Sequence, residues 1–304
     1  MIDYEKYLVK RPVYESCPRV KNRQSPLMTL MSRAQVPEAD CYVQLGWIHG
    51  LPEPNPHVLE HVHNFDEIIL HCSGDPYSRA LGADIEFCIG GQPINFNTTT
   101  AILVPAGVRH GPLVWKKFTR PHIQIVISPG TGDYEAVPGK SRLDAANGGT
   151  PPQPWGKDYE EYVVRTPVRE VGRSVKNRQM PTMTYMSRHL VLGAGYYLEY
   201  GWIYGLPEPN PHVFEHVHNY DEVVIHFGGD PDNPEDLGGE IEYVVNGQPL
   251  NIGTTSGLFI PKGLKHGPLT WKKYSRPHAE MTLIIGAGTF REVWSAETFG
   301  GHKK

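Results

Sequence analysis

The chain is written twice, and nothing else in its sequence constrains the fold as strongly. Residues 50–67 read GLPEPNPHVLEHVHNFDE and residues 205–222 read GLPEPNPHVFEHVHNYDE. They are identical at sixteen of eighteen positions, with Leu59/Phe214 and Phe65/Tyr220 as the two changes. The same offset of 155 aligns Tyr4-Glu5 with Tyr159-Glu160, Lys21-Asn22-Arg23-Gln24 with Lys176-Asn177-Arg178-Gln179, and Met31-Ser32-Arg33 with Met186-Ser187-Arg188. After an acidic loop the offset becomes 156, aligning Gly91-Gln92-Pro93 with Gly247-Gln248-Pro249, His110-Gly111-Pro112-Leu113 with His266-Gly267-Pro268-Leu269, and Arg120-Pro121-His122 with Arg276-Pro277-His278. A repeat this long is a domain, not a solenoid unit. Two domains of one fold are expected, over 1–130 and 157–290. A linker at 131–156, rich in Gly, Pro, Ala and Asp and without periodicity, joins them. A tail covers 291–304.

Each half reads as β. Short segments rich in β-branched residues, such as Glu67–His71, Ile85–Ile89, Ile123–Ile127, Glu222–His226 and Ile241–Val245, are bounded by Gly/Pro turns. No long segment has the 3.6-residue period of a helix. With 32 Gly and 28 Pro in 304 residues, turns are frequent, and many short strands imply a barrel or sandwich, twice. No apolar run approaches the 18 residues or so of a membrane span. A net charge of −4 with no basic block gives no electrostatic footprint for nucleic acid. Residues 1–6 lack the apolar stretch of a secretory signal, so a cytoplasmic location is expected. Cys17, Cys41, Cys72 and Cys88 are irregularly spaced, and their repeat partners are Gly172, Tyr196, Phe227 and Val244. They read as reduced thiols without a duplicated chemistry.

Twelve of the 15 histidines form six repeat pairs: His57/His212, His61/His216, His63/His218, His71/His226, His110/His266 and His122/His278. His61 and His63 are two apart, which in a strand puts both rings on one face, roughly 6.6 Å apart at Cα. A turn at Asn64-Phe65-Asp66 would fold the strand opened by Glu67 back beside them. His110 follows a Pro-x-Gly turn after a later strand. His216, His218, Glu222 and His266 repeat the set. Three neutral imidazoles and a carboxylate make an N3O ligand set that leaves two open positions on an octahedral ion. It suits Fe(II), Mn(II), Co(II), Ni(II) or Zn(II), not Ca or Mg.

These residues resemble the cupin motifs. The first, HxHx3–4Ex6G, stands as His61, His63, Glu67 and Gly74, and again as His216, His218, Glu222 and Gly229. The core of the second, PxGxxH, stands as Pro105, Gly107, His110 and as Pro261, Gly263, His266. The glycines that elsewhere precede each motif are replaced by Asn55, Asn210, Thr99 and Thr255, and the terminal Asn by Val114 and Thr270. These are turn positions, not ligands. The chain is thus similar to a bicupin. The resemblance implies two tandem double-stranded β-helix (jelly-roll) barrels, each with a metal inside: Fe(II) or Mn(II) foremost, two per chain, with Zn, Ni or Co also fitting. It further implies a small-molecule substrate and barrels that pair through outer strands, within a chain or in a homo-oligomer. The family holds dioxygenases, oxalate decarboxylases, isomerases and metal-free storage proteins, so the fold alone does not choose a reaction. The reading favoured here is an oxidoreductase of dioxygenase type acting on a small polar or phenolic substrate. Alternatives are an oxalate decarboxylase-like lyase, a metal-dependent isomerase, or a non-enzymatic binding protein.

Further residues are candidates for the pocket. His71 and His226 share strand parity with the ligand Glu and could act as general bases. His57 and His212 share parity with the HxH pair. Arg120, His122, Arg276 and His278 flank a proline before a late strand, and arginine is suited to a substrate carboxylate. Arg23/Arg178 and Arg33/Arg188 are further arginine candidates. Trp115 and Trp271 are expected at a barrel rim. Glu60 and Glu215 could donate protons, but their parity points away from the ligand face. The acidic segment 230–236 lacks calcium-loop spacing and reads as a solvated loop.

Overall fold

The structure, a computed structural model, describes residues 2–14, 19–133, 157–169, 174–180 and 182–293. Most of the expected linker, all of the tail beyond Val293, and Cys17 lie outside these residues. The first half supplies β1 (Leu8–Val9), β2 (Val13–Tyr14), β3 (Lys21–Arg23), β4 (Met28–Met31), β5 (Cys41–Glu53), β6 (Glu67–Ser73), β7 (Ala80–Ile89), β8 (Gln92–Thr98), β9 (Thr100–Val104), β10 (His110–Phe118) and β11 (His122–Pro129). The second half repeats the order. Its strands are β12 (Val163–Val164), β13 (Val168–Arg169), β14 (Lys176–Arg178), β15 (Met183–Met186), β16 (Tyr196–Glu208), β17 (Asp221–Gly228), β18 (Asp236–Val245), β19 (Gln248–Thr254), β20 (Ser256–Ile260), β21 (His266–Tyr274) and β22 (His278–Ile285). The fold is all-β, as the turn frequency implies. Among the described residues no helix is long and apolar enough to cross a membrane.

Residues 13–165 form one compact unit. Its larger sheet runs β12-β9-β6-β11-β5-β4-β2, with β3 also paired to β5, and its smaller sheet runs β10-β7-β8. In β7, Ile85, Phe87 and Ile89 are buried while Glu86 and Cys88 are half-buried, the period-2 pattern of a strand with one face on a core. In β6 every residue is buried, which is why its sequence, Glu67–Ser73, reads as an almost continuous apolar run.

Residues 1–12 and 166–304 form the other unit, with a larger sheet β1-β20-β17-β22-β16-β15-β13, β14 paired to β16, and a smaller sheet β19-β18-β21. The division therefore differs from the expected 1–130 and 157–290. The first twelve residues leave the first half, and residues 157–165 join it. The reason lies in backbone pairing. Leu8 and Val9 pair with Leu258 and Gly257 of β20, and Val163 and Val164 pair with Ile102 and Ala101 of β9. Each two-residue strand covers a sheet edge whose N–H and C=O groups would otherwise stand open. A side-chain clamp fixes each arm. Gln248 accepts the Tyr4 amide at 3.0 Å and donates to Asp3 at 2.9 Å. Gln92 does the same for Tyr159 and Asp158, at 2.7 and 2.9 Å.

Candidate metal centres

His61 and His110 face one another through a backbone bridge, His61 N–H to His110 O at 2.9 Å and His110 N–H to His61 O at 3.0 Å. Its twin joins His216 and His266 at 2.8 and 3.0 Å. The HxH segment is thus an isolated bridge, not the regular strand expected. The turn at 64–66 does not fold β6 back onto it: β6 lies between β9 and β11. Two features hold the approach. Gly111, at φ +91°, has no room for a side chain, since a Cβ there would stand 2.5 Å from the Leu59 carbonyl oxygen. The Pro105-x-Gly107 turn donates the Gly107 amide to His63 O at 2.8 Å, and its Ala106 amide reaches Asp66 Oδ1 at 2.8 Å.

The three imidazoles converge. The ligand nitrogens of His61, His63 and His110 lie within 4.8 Å of one another, as do those of His216, His218 and His266, so each group can hold a metal ion. Every one of the six Nδ1 atoms lies 2.7–2.9 Å from a backbone carbonyl: Leu59, Phe65 and Val108 in one centre, Phe214, Tyr220 and Leu264 in the other. A carbonyl only accepts, so Nδ1 carries a proton and Nε2 is the nitrogen turned to the centre. This orientation by the remote nitrogen is what metal-ligating histidines require. The Nε2 atom of His110 is buried without a hydrogen-bond partner. Converging lone pairs are costly in a buried site unless a cation receives them.

The fourth group completes the set. Glu67 Oε2 lies 3.8 Å from His63 Nε2 and 3.5 Å from His110 Nε2. Glu222 Oε2 lies 3.1 Å from both His218 and His266. Burial opposes the charge on both carboxylates, yet the surrounding imidazoles outweigh it and hold each below the ordinary glutamate range. Burial also keeps His110 and His216 neutral, pushing each down to about 4. Burial opposes a charge on His218 too, but its contact with Glu222 outweighs that and holds it above the ordinary imidazole value. Three imidazoles and one carboxylate are a donor set that fits a divalent transition metal, which would take the place of that proton.

The remaining candidates fall in two places. His57, His71 and His122 surround Trp115: His57 stacks on its ring at 5.0 Å, His71 lies 5.9 Å away, and its indole N–H donates to His122 Nε2 at 3.1 Å. Trp271 does the same with His212 (4.9 Å), His226 (6.2 Å) and His278 (2.9 Å). Both tryptophans are buried, so they anchor the interior and do not mark the rim. Arg120 and Arg276 lie elsewhere. Arg120 bonds Asp75 at 3.0 Å and Ser78 at 3.2 Å, and Arg276 pairs with Asp230 at 3.5 Å and Asp236 at 2.5 Å, so both arginines tie down the loops before β7 and β18. Arg33 pairs with Asp40 and Asp133, and Arg188 with Glu292. Glu60 and Glu215 pair with Arg109 and Lys265, partly exposed.

One cavity reaches the second centre at His216 and Glu222. Arg178, Glu199, His212, Tyr243, Glu280 and Thr282 line it together with apolar neighbours. Arg178 Nε lies 3.2 Å from Glu280 Oε2, and its Nη2 lies 3.9 Å from Glu199 Oε1. Tyr197 donates its hydroxyl to Glu199 at 2.9 Å. Burial opposes the charge of Glu280, but Arg178 and His212 hold it well below the usual carboxylate range. Glu199 and Glu280 are not retained in both halves: their repeat partners are Gln44 and Gln124. The available signal was a polar residue set into an apolar strand at inward parity.

No family model matches the sequence, and no curated protein is similar to it. Solved structures are similar in fold. AerE from Microcystis aeruginosa is 13% identical, with a TM-score of 0.52, over 92% of this chain and 99% of that one. Oxalate decarboxylase from Bacillus subtilis is 10% identical at 0.53, over 86% and 72%. Pumpkin seed globulin is 12% identical at 0.54, over 92% and 85%. The oxalate decarboxylase and the globulin are bicupins, and the fold of this chain is the bicupin fold: two cupin barrels, each with a histidine group able to hold a metal.

Proposed function

We propose that the protein is a metal-dependent enzyme with two N3O centres, His61/His63/Glu67/His110 and His216/His218/Glu222/His266, and that its reaction is an oxidation of dioxygenase type on a small polar or phenolic molecule. The observation that carries this reading is the orientation of six imidazoles, each locked through Nδ1 so that the ligand nitrogens of each group converge, with a buried carboxylate beside two of them in each half. Fe(II) or Mn(II) suits that donor set and supplies redox chemistry and Lewis acidity at two open positions. The protein's own part is to hold the ligands in place and exclude bulk water. In the second half, Arg178, His212 and the two buried glutamates add groups that can bind and orient a polar substrate beside the centre.

A lyase or isomerase reading is favoured by the Glu280–His212 contact at 3.7 Å, which places a carboxylate and an imidazole where a proton could be held. Glu60 and Glu215, the proton donors considered from sequence, face basic partners instead. Metal analysis of protein purified without added metal tests the central claim. Two equivalents per chain are expected, and His61→Ala and His216→Ala should each remove one. Oxygen uptake with catechols, enediols and small acids then separates oxidation from decarboxylation, which releases CO2 without net uptake. A chain that takes up no transition metal overturns the reading, and a fully loaded chain with no uptake removes its oxidative part.

A further inference from the structure

The two centres are near copies, but the walls beside them differ in charge. In the second half, Glu199 on β16 and Glu280 on β22 flank Arg178 on β14; Glu199 is 7% and Glu280 5% exposed. Glu199 is the register partner of Thr282, and Glu280 that of both Gly201 and His226. In the first half the same register positions carry amides: Gln44 opposite Val126, and Gln124 opposite Gly46 and His71. Gln44 and Gln124 are as buried as the glutamates, at 8% and 7%. The hydrogen bond to the neighbouring tyrosine reverses with the substitution. Tyr197 donates to Glu199 at 2.9 Å, whereas Gln44 donates to Tyr42 at 3.1 Å. The trio Arg178, Glu199 and Glu280 carries one net negative charge, and Arg23, Gln44 and Gln124 one net positive charge.

A second observation points to a ligand. His212 lines the cavity and is 2% exposed; its Nε2 lies 3.7 Å from Glu280 Oε2, and its Nδ1 is buried with no hydrogen-bond partner. Thr282 and Tyr243 also line the cavity, where the first half has Val126 and Phe87. The wall is thus richer in hydroxyls and in acceptors, and its arginine already faces two carboxylates. An incoming carboxylate would meet like charges in a low-dielectric cavity, whereas a hydroxyl or an amine would find acceptors.

We infer that the second-half pocket takes a neutral or cationic, hydroxyl-bearing small molecule and rejects carboxylates, and that Glu199 and Glu280 are the residues that set this selection. The inference rests on the metal-centre reading for the place of the ligand, but not for the sign of its charge. The first-half site, two charges more positive, is the one suited to an anion.

The test uses the full chain with Mn(II), in a His61→Ala background so that the second centre alone is complete. Catechol serves as the neutral hydroxyl probe and oxalate as the dianion, and binding is read by calorimetry, which needs no signal from the metal. Catechol should bind and oxalate should not. The isosteric pair Glu199→Gln and Glu280→Gln should then raise oxalate affinity at least tenfold. In the reciprocal His216→Ala background, Gln124→Glu should lower oxalate affinity at least tenfold, and this variant decides alone should the double glutamine variant fail to fold. Oxalate affinity that shifts less than twofold in these folded variants overturns the inference. Mn content is measured in parallel: its absence defeats the metal reading, while the charge preference remains readable.

Discussion

The two halves hold the same imidazoles in the same way and surround them differently. Ring separations are 4.1, 4.7 and 5.9 Å in the first centre and 4.2, 4.8 and 5.8 Å in the second. Backbone bridges, a glycine without room for a Cβ and carbonyl locks on every Nδ1 fix these positions, so few substitutions are compatible with them. Nothing of that kind constrains positions 44/199 and 124/280, where a strand needs only a side chain of similar volume. Sequence change has collected there, and it alters the charge of the wall while leaving the ligand geometry alone. The carboxylate ligand registers the same drift: Glu222 sits at 3.1 Å from two imidazoles, Glu67 at 3.5 and 3.8 Å.

Removing the buried cation should break the comparison most sharply. Arg178→Ala leaves Glu280 and Glu199 buried without their counter-charge and should cost about 3–5 kcal/mol. Arg23→Ala removes a cation whose half has Gln44 and Gln124 where the other has the two glutamates, and should cost less. Urea unfolding of the two variants measures the difference, and equal losses would mean that the carboxylates are compensated elsewhere.

Acid should come next. Burial holds His226 and His122 down to about 4, against an ordinary value near 6.5. Between those values the unfolded chain binds protons that the folded chain refuses, so stability falls as pH drops from 6.5 to 4 and levels off below. Each such histidine contributes about 3 kcal/mol across that window. The halves should differ at the histidines stacked on tryptophan. Burial and then Arg23 hold His57 at about 3, whereas Glu280 opposes the lowering at His212. Proton NMR titration should therefore find His212 taking up its proton at higher pH than His57.

The smallest effects belong to the loop arginines. Arg120 and Arg276 are about a third exposed, so alanine at either should cost about 1 kcal/mol or less. Arg276, with two acidic partners against one for Arg120, should cost the more. Metal content should stay unchanged in both, and a loss of metal would return these arginines to the centre.

The imidazole groups were legible in the sequence because their residues are close together, spaced to converge, and present twice. The barrels were legible from strand and turn patterns. Glu199 and Glu280 were not, because retention in both copies is the signal that marks the imidazoles, and at these positions the copies differ. The true place of Arg120 and Arg276 is not legible locally, because their partners, Asp75 and Asp230, are adjacent only in the fold. The segment Trp115-Lys116-Lys117 reads as a rim, yet the structure turns the indole inward to His57 and His122. The unit boundaries depended on pairing of the kind made by β1 with β20 and β12 with β9, which no local pattern reports.

The exchanged arms bear on how such a chain can be taken apart. A fragment ending in the linker would carry its own arm without the β20 edge it serves, and would leave the edge of β9 bare. Because β1 and β12 are repeat equivalents, a second copy of the same fragment can supply the missing arm and receive one in return. Within one chain each edge receives its arm whatever the concentration, because both copies are joined end to end.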